Sequence, residues 1–460
     1  MKTVRLAATF AMGLSLCLGL LTLLGMMASS AANVSEAACL VPICAPDGEL
    51  RVCPTGCAYA SVQAAVDAAR DGDTVKIAAG TYTGTNNYGG LSQLVYISKT
   101  LTLQGGFSHD DWTVARPGAN HSTLDAQGQG RVVYITGAIQ PVIEGLRITG
   151  GEAEGLGTVP GEALWDGGGG VFVLTATAVI RNNVVYNNAC SSQFCGGGGM
   201  LLAYSDSNVS GNIFISNTAT WDGGGLQTLY SNAMVTGNEF RSNSVGFGGG
   251  AVYLHASTAA FNDNALISNT AEYGGGLVSA IGADRIVNNV LNENRVGAAG
   301  GGMWLYGSSA QLMHNTIAAN SGGDGSGVYV SRVEYIGPYA SSATLTNTLL
   351  VSHSVGISIT GGNAITVDGI LWYGTPFTVS HSTNADVTVL NQHVGNPAFG
   401  PDGFHLTADS GAIDHGTNTR LAADIDGEPR PGGSGYDLGA DEFWFRISLP
   451  TIVRRELTGR

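Results

Sequence analysis

The sequence predicts an all-β fold, a parallel β-helix, on three observations. A block recurs six times between Gly168 and Asn320 at a period of about 26 residues. A fixed period in this range is typical of a solenoid, in which each unit buries its apolar face against its neighbours. Each copy opens with three glycines, beginning at Gly168, Gly197, Gly223, Gly248, Gly274 and Gly300. Each closes with an asparagine pair: Asn183/Asn188, Asn212/Asn217, Asn238/Asn243, Asn264/Asn269, Asn289/Asn294 and Asn315/Asn320.

Apolar residues recur at three positions of every copy. After the glycines stand Val171, Met200, Leu226, Ala251, Leu277 and Met303; before the first asparagine stand Ile180, Val209, Val235, Phe261, Ile286 and Leu312; after it stand Val185, Phe214, Phe240, Leu266, Leu291 and Ile317. These short segments, broken by Gly and Asn, indicate strands and turns, and none has a helical period. Three strands per copy would form one coil, with coils roughly 4.8 Å apart.

The first asparagine of each pair is expected to form an internal ladder. Its members are Asn183, Asn212, Asn238, Asn264, Asn289 and Asn315. Asparagine tolerates the left-handed conformation of a sharp corner, and its amide can bond to the same asparagine one coil away. We therefore assign the asparagine pairs a structural role.

The regular copies lie within a longer β-helix that we place at residues 81–395. Residues 33–80 are predicted to form a cysteine-rich N-terminal cap with one helix, Tyr59 to Ala69, ended by Asp71-Gly-Asp73. A helix there would cover the open first coil, because solenoids need caps over unpaired edges. Residues 396–443 are assigned to a C-terminal cap, and 444–460 to a short tail.

The N-terminus predicts export. Lys2 and Arg5 precede an apolar run, and Ser30-Ala-Ala32 is a small-residue cleavage site, as in a signal peptide of residues 1–32. An uncleaved membrane anchor is the alternative, and no other stretch has the length of a membrane span. The expected location is secreted or at the cell surface.

Export places the six cysteines that follow the signal segment in a compartment that permits disulfides. Cys39, Cys44, Cys53 and Cys57 are expected to staple the N-terminal cap, with their connectivity open. Cys190 and Cys195 bracket a turn that is longer than in neighbouring copies, which predicts a loop disulfide. Neither spacing has partnering histidines, so a metal site at the cysteines is disfavoured.

The charge balance argues against nucleic acid, anionic lipid and bare polyuronate as partners. The net charge is −15, and the only lysines are Lys2, Lys76 and Lys99. Nucleic acid, anionic lipid and bare polyuronate each favour a basic track. We expect a monomer whose partner is an extracellular polysaccharide or a surface protein.

Two aromatic columns are the candidate binding residues. The first column precedes the glycines and consists of Trp165, Phe194, Trp221, Phe247 and Tyr273; the second consists of Tyr204 and Tyr230, with His255 in the next coil. Stacked rings on a rigid face suit contact with a glycan or a protein. The alternative is that the rings shield the glycine corner and pack on one another.

Candidate catalytic residues are not evident, because the acids of the copies do not recur at one coil position. Asp424, Asp426 and Glu428 have the composition of a calcium loop but lack EF-hand spacing. A turn of the cap is favoured there over calcium, and no other cofactor is predicted.

Three segments resemble known families. The glycine blocks with Phe214-Ile-Ser-Asn217 and Phe240-Arg-Ser-Asn243 resemble the GGA[ILV] and FxxN repeats of chlamydial polymorphic outer-membrane proteins. Residues 60–82 resemble the N-terminal cap of pectate-lyase-like right-handed β-helix proteins. Asp426-Gly427, Arg430 and Asp437-Leu-Gly-Ala-Asp-Glu-Phe443 are similar to the choice-of-anchor Q domain of bacterial surface proteins. The resemblance implies a right-handed β-helix at a surface, and it says little of activity.

Two functions remain. The favoured one is an exported, non-catalytic rod for adhesion or for glycan or protein binding. The alternative is a polysaccharide lyase or glycoside hydrolase with a divergent site. An enzyme should bring two or three acids, or acids with Arg131, Arg147 or Arg332, into one groove, whereas a rod should not.

Overall fold

The computed structural model describes residues 49–88, 90–157, 166–334 and 339–445. Over these ranges the chain winds into a right-handed parallel β-helix of about 13 turns with about 26 residues per turn. The predicted fold class is confirmed. The signal segment 1–32, Cys39, Cys44, Trp165 and the tail beyond 445 lie outside the described residues. Within the described ranges, no helix has the length and apolarity that a membrane crossing requires.

The coils contribute strands to three faces. The first sheet has 22 strands and carries two short strands of each regular coil. They are Glu49–Val52, Thr74–Ala78, Gly80–Thr83, Thr102–Phe107, Ser122–Asp125, Val142–Glu144, Leu146–Thr149, Val179–Arg181, Val184–Tyr186, Asn208–Ser210, Ile213–Ile215, Met234–Thr236, Glu239–Arg241, Ala260–Asn262, Ala265–Ile267, Arg285–Val287, Val290–Asn292, Gln311–Met313, Thr316–Ala318, Ser342–Val351, Ala364–Tyr373 and Asp386–Val394.

The second sheet follows the glycine blocks and has 12 strands. They are Asn86–Tyr88, Leu91–Ile97, Arg131–Thr136, Val171–Leu174, Met200–Ala203, Leu226–Leu229, Val252–His255, Leu277–Ala280, Met303–Tyr306, Ser326–Ser331, Val355–Ile359 and Phe377–His381. Among the strand pairs of the described residues, the single antiparallel one joins its first two strands.

The third face precedes the glycine blocks and is built from very short strands. Its six-stranded sheet contains Ala189–Cys190, Thr218–Ala219, Ser244–Val245, Thr270–Tyr273, Arg295–Ala299 and Ser321–Gly322, and Asp166–Gly167 pairs separately with Cys195–Gly196. A regular coil therefore has four strands rather than the expected three, because a corner at the first asparagine gives each coil two short strands in the first sheet.

The asparagines build the corners differently from the expectation. The left-handed residue is the one before each ladder asparagine, as with Asn182 (φ 55°) before Asn183 and Gly237 (φ 65°) before Asn238. The ladder asparagine itself turns inward and is buried. Asn238, for example, is 2% exposed.

Each inward amide is fully hydrogen-bonded. The Asn238 Nδ2 donates to the Asn264 Oδ1 at 3.0 Å and to the Val209 carbonyl at 2.8 Å. Its Oδ1 accepts from the backbone N–H and Nδ2 of Asn212. The same pattern runs from Asn183 to Asn315 and, in a parallel ladder, from Asn188 to Asn320. Buried polar groups are stable only when paired in this way.

One apolar column shifts by a residue. Val252, and not Ala251, pairs with Leu226 and Leu277. The left-handed glycine of this copy is accordingly Gly249 (φ 72°) instead of Gly248. The glycine corner of the neighbouring copy requires glycine, since a Cβ on Gly198 would lie 2.1 Å from the Thr218 carbonyl oxygen of the same coil.

The N-terminal helix is shorter than expected and spans Val62–Ala68, with Ser61 as its N-cap. Val62, Ala65 and Val66 are buried in the same apolar core as the first coils, which explains how a seven-residue helix is stable there. Nearby, Cys53 is disulfide-bonded to Cys57.

The C-terminal segment, residues 396–445, packs on the side of the coils. Leu406, Ala412 and Leu438 form a separate apolar cluster with Leu349 and Leu371 of the first sheet. Its backbone also bonds to coil corners: the Asn288 Nδ2 donates to the Ala423 carbonyl at 3.0 Å, and the Gly439 N–H donates to the Asn347 carbonyl at 2.9 Å. The last strand, Asp386–Val394, pairs with one neighbour, and its Val394 is 85% exposed.

Candidate functional site

The first aromatic column lies at the corner between the third and second sheets. Four of its five members are described. Phe194 is 42% exposed, and Trp221, Phe247 and Tyr273 are partly exposed. Below the column, Cys190 and Cys195 close the long turn as a disulfide, with Cα atoms 5.5 Å apart.

The four rings do not occupy one register position. Asp222 pairs with Gly248 and Gly248 pairs with Tyr273. Trp221 and Phe247, which stand one residue earlier, are therefore equivalent, and their rings stack at 4.7 Å with an interplanar angle of 13°. Phe194 meets Trp221 edge-on at 5.1 Å, and Tyr273 is tilted 59° from Phe247. The column is thus a run of contacting rings and not a strict stack.

The run of contacting rings continues beyond Tyr273, the last member of the first column. Trp304 contacts Tyr273 at 4.8 Å and Tyr306 at 4.3 Å, and Tyr329 follows at 6.4 Å. These three residues belong to strands of the second sheet, at positions that neither sequence column includes. We call the set Phe194, Trp221, Phe247, Tyr273, Trp304, Tyr306 and Tyr329 the aromatic face.

Within the aromatic face the rings also pack on one another, as the alternative interpretation expects. Trp304 is only 4% exposed and anchors an apolar cluster with Tyr253 and Val278. Its indole N–H donates to the Ser331 hydroxyl at 2.8 Å. The rings around Trp304 remain partly exposed. Trp304 therefore anchors the aromatic face from inside, while its neighbours offer ring surface to a ligand.

A cavity of about 670 Å³ lies at the end of the aromatic face. It is lined by Tyr306, Tyr329, Ser331, Arg332, Glu334, Thr360 and Gly361. Arg332 and Glu334 form an ion pair at 3.5 Å, and the Glu334 side chain is 76% exposed. Aromatic walls with a few convergent polar groups are typical of small-ligand sites.

The second aromatic column is more exposed. Tyr204 and Tyr230 are 54% and 52% exposed, and their rings stack at 5.3 Å. His255 meets Tyr230 edge-on at 5.8 Å, and burial lowers the pKa of His255. Each tyrosine leaves a strand of the second sheet in the left-handed conformation, with φ near 50°, which turns its ring outward.

Two aspartates flank the first column and have different roles. Asp166 accepts the backbone N–H groups of Gly155 and Gly157 at 2.8 and 2.6 Å. It is a turn residue. Asp222 is 5% exposed, and its Oδ1 has no hydrogen-bond partner among the described residues. Burial raises the pKa of Asp222 well above the ordinary value.

The three arginines considered for a catalytic groove lie apart. Arg131 is buried, donates to the Gly167 carbonyl at 2.8 Å and lies over the Phe172 ring. Arg147 lies over the Tyr186 ring at 5.0 Å. Arg332 lines the cavity at the end of the aromatic face together with one carboxylate, Glu334. Two of these arginines thus lie over aromatic rings, whereas Arg332 pairs with Glu334.

The three acids considered for calcium, Asp424, Asp426 and Glu428, have different surroundings. Both oxygens of Asp424 accept backbone N–H groups: Oδ1 from Asp426 at 3.0 Å and Glu428 at 2.8 Å, and Oδ2 from Glu442 at 3.1 Å. Asp424 is therefore engaged in shaping the turn. Asp426 and Glu428 instead line a second cavity.

This cavity, of about 530 Å³, contains a histidine cluster that the sequence did not reveal. The cluster consists of Asp402, His405, Asp426 and Asp441. The His405 Nδ1 is 2.6 Å from the Asp402 Oδ2, and its Nε2 is 2.5 Å from the Asp426 Oδ2. The Asp441 Oδ2 accepts the Leu406 N–H at 2.6 Å. Residues so distant in sequence give no periodic signal.

Charge and burial act in opposite directions in the histidine cluster. Burial lowers the pKa of His405, but its hydrogen bonds to Asp402 and Asp426 outweigh burial and raise the value to about 9. Burial raises the pKa of Asp441 to about 6. A protonated His405 between two carboxylates is the form that these contacts favour.

Comparison with known proteins supports the fold and no more. The family model for a right-handed beta helix region matches residues 120–289. No curated protein matches the chain by sequence. Among solved structures, the mannuronan C-5 epimerase AlgE6 A-module of Azotobacter vinelandii is 14% identical, with 73% of this chain and 94% of that chain covered and a TM-score of 0.41. Pectate lyase Pel9A is 13% identical, with 86% and 96% covered and a TM-score of 0.33. The family-model match supports the right-handed β-helix over residues 120–289.

Proposed function

We propose that this chain is an exported, non-catalytic β-helix rod that binds an extracellular polysaccharide through its aromatic face. The observation that carries the proposal is the run of seven contacting rings from Phe194 to Tyr329, which ends in a cavity with a charged pair. Sugar rings present C–H groups that pack on aromatic faces. A surface protein is the other partner class that the rings suit.

The spacing of the rings supports a long ligand over a small one. Neighbouring rings of the aromatic face lie 4.3 to 6.4 Å apart along their contacts, so the face extends over several coils. The cavity beside Tyr306 adds Ser331, Arg332, Glu334 and Thr360 as hydrogen-bonding groups. We assign contact along the polysaccharide chain to the rings and the recognition of sugar hydroxyls to the cavity.

The remaining parts of the proposal come from the sequence. Residues 1–32 would export the chain, and the C-terminal segment 396–443 would act as a choice-of-anchor Q-like element at a cell surface. The repeats would correspond to those of polymorphic outer-membrane proteins. The low lysine content and net charge of −15 favour a partner that lacks strong negative charge.

Gel retention tests the aromatic face. The full-length chain is run through gels containing plant, algal or bacterial polysaccharides, alongside Trp221→Ala and Tyr230→Ala. We expect Trp221→Ala to weaken retention by about 2- to 10-fold, because one aromatic contact contributes about 0.5–1.5 kcal/mol. Tyr373→Ala removes an exposed ring (41% exposed) outside both columns and is the matched control.

The two columns are distinguished by the same gels. Weaker retention of Tyr230→Ala alone would move the site to the second column. If Trp221→Ala, with unchanged thermal unfolding, is retained as strongly as the parent chain, the aromatic face is not the binding surface.

A polysaccharide lyase or glycoside hydrolase is the second candidate, because Arg332 and Glu334 share a cavity with two tyrosines. This function predicts new chain ends on a susceptible polysaccharide, and Glu334→Gln should abolish them. Binding without new ends favours the rod.

A further inference from the structure

The histidine cluster of the C-terminal segment has a geometry that glycan binding does not use. Ligand atoms of His405, Asp426 and Asp441 lie within 4.8 Å of one another. The three residues come from separate loops, which the segment folds around one cavity. This convergence is independent of the aromatic face.

Asp402 orients the imidazole of His405. Its Oδ2 lies 2.6 Å from Nδ1, which directs Nε2 toward Asp426 at 2.5 Å. Asp402 is itself held in the turn that leads to His405, because its Oδ1 accepts hydrogen bonds from the Phe404 and His405 N–H groups at 3.1 Å each. A carboxylate on one imidazole nitrogen is the usual partner of a histidine whose other nitrogen binds a metal.

Asp441 supplies a fixed oxygen on the other side. It is 6% exposed, and its Oδ2 is held by the Leu406 N–H, one residue from His405. Asp426, by contrast, is 49% exposed and reaches the cluster from the solvent side. Three carboxylates around one imidazole leave excess negative charge at the cavity even when the ring is protonated.

We propose that His405, Asp426 and Asp441 bind one divalent transition-metal ion, with Zn²⁺ as the best fit, and that Asp402 is a positioning residue. An imidazole with carboxylates suits Zn²⁺, whereas Ca²⁺ takes six to eight oxygen ligands. Three protein ligands leave a coordination position open to the cavity for water. On binding, the ion replaces the Nε2 proton, which passes to the solvent.

Calorimetric titration of the metal-free full-length chain with ZnCl₂, MnCl₂ and CaCl₂ tests the site. We expect one Zn²⁺ per chain at this site and no comparable binding of Ca²⁺. Asp426→Asn and His405→Gln should lose it, and Asp402→Asn should weaken it by about 10- to 100-fold. Asp409→Asn, at an exposed carboxylate of the same segment, should bind as the parent does.

The difference between variants decides the result, because cysteines elsewhere in the chain can bind Zn²⁺. If His405→Gln fails to fold, Asp426→Asn provides the decision, since its side chain is half exposed. Zn²⁺ binding that is absent, or equal in the parent and Asp426→Asn, would overturn the proposal. Preferential Ca²⁺ binding would overturn the choice of metal.

Discussion

The regular coils and the C-terminal segment both bury polar groups, but in opposite ways. The coils bury neutral amides, and each amide bonds to the same residue of the next coil, as Asn238 does with Asn212 and Asn264. The C-terminal segment buries charges, and its partners do not repeat. Arg430 and Glu442 form an ion pair at 2.8 Å in which both side chains are fully buried.

The difference shows where each region obtains its stability. A neutral ladder spreads small hydrogen-bond contributions over many coils, so that stability is a sum of neighbouring interfaces. A buried ion pair concentrates a large contribution in two residues, because either charge alone would be costly. The following predictions test this contrast.

The largest effect is expected from Arg430→Ala. The guanidinium also donates to the Gly439 and Ala440 carbonyls at 2.9 and 2.7 Å. Its loss leaves a buried, uncompensated Glu442 and should reduce the free energy of unfolding of the segment by about 3–5 kcal/mol. Urea denaturation measures the change, with exposed Arg420→Ala as control. Equal, small effects of both variants would contradict a concentrated contribution.

An intermediate effect is expected from Asn238→Ala. The substitution removes the acceptor of two Asn212 groups and the donor to Val209. Buried unsatisfied groups cost about 1–3 kcal/mol, so the thermal unfolding of the coils should shift measurably. Exposed Asn384→Ala should change it by less than about 0.5 kcal/mol. A neutral Asn238→Ala would mean that water replaces the ladder.

A smaller effect on the stability of the C-terminal segment is expected from a rise in pH. Burial raises the pKa of Asp437 to about 7, so the folded segment holds this proton more tightly than the unfolded chain. The stability gained from the neutral carboxyl is full below about pH 4 and is lost as the pH rises through 7. Asp437→Asn lacks this titration.

Comparison of Asp437→Asn with the parent at pH 4 and pH 8 measures that loss. The free energy of unfolding of the variant, relative to the parent, should increase between the two values. A constant difference would show that the pKa of Asp437 is the same in the folded and unfolded states. Asp409→Asn serves as the exposed-carboxyl control.

Periodicity explains how much of the structure could be predicted. It identified the coils and the inward asparagines, because each partner stands at the same position of the next copy. It failed by one residue at Ala251, where an additional glycine hid the register. It also treated Trp221 and Tyr273 as equivalent, although they stand two residues and one residue before their glycine blocks. Trp304 was missed because it contacts the column from a neighbouring sheet.

The C-terminal segment offered no period to follow. Composition pointed to Asp424, Asp426 and Glu428, but backbone N–H groups occupy Asp424 and only Asp426 reaches His405. The approach of His405 to Asp441 depends on how three loops fold over the first sheet. Such contacts are set by tertiary packing, which sequence spacing does not encode.

One measurement tests binding without catalysis most directly. The full-length chain is incubated with a panel of plant, algal and bacterial polysaccharides, with and without calcium, and both bound protein and new chain ends are measured. The predicted result is retention on at least one polysaccharide with no new ends in any. New chain ends, with unsaturated uronate as the mark of a lyase, would contradict the non-catalytic rod and identify an enzyme.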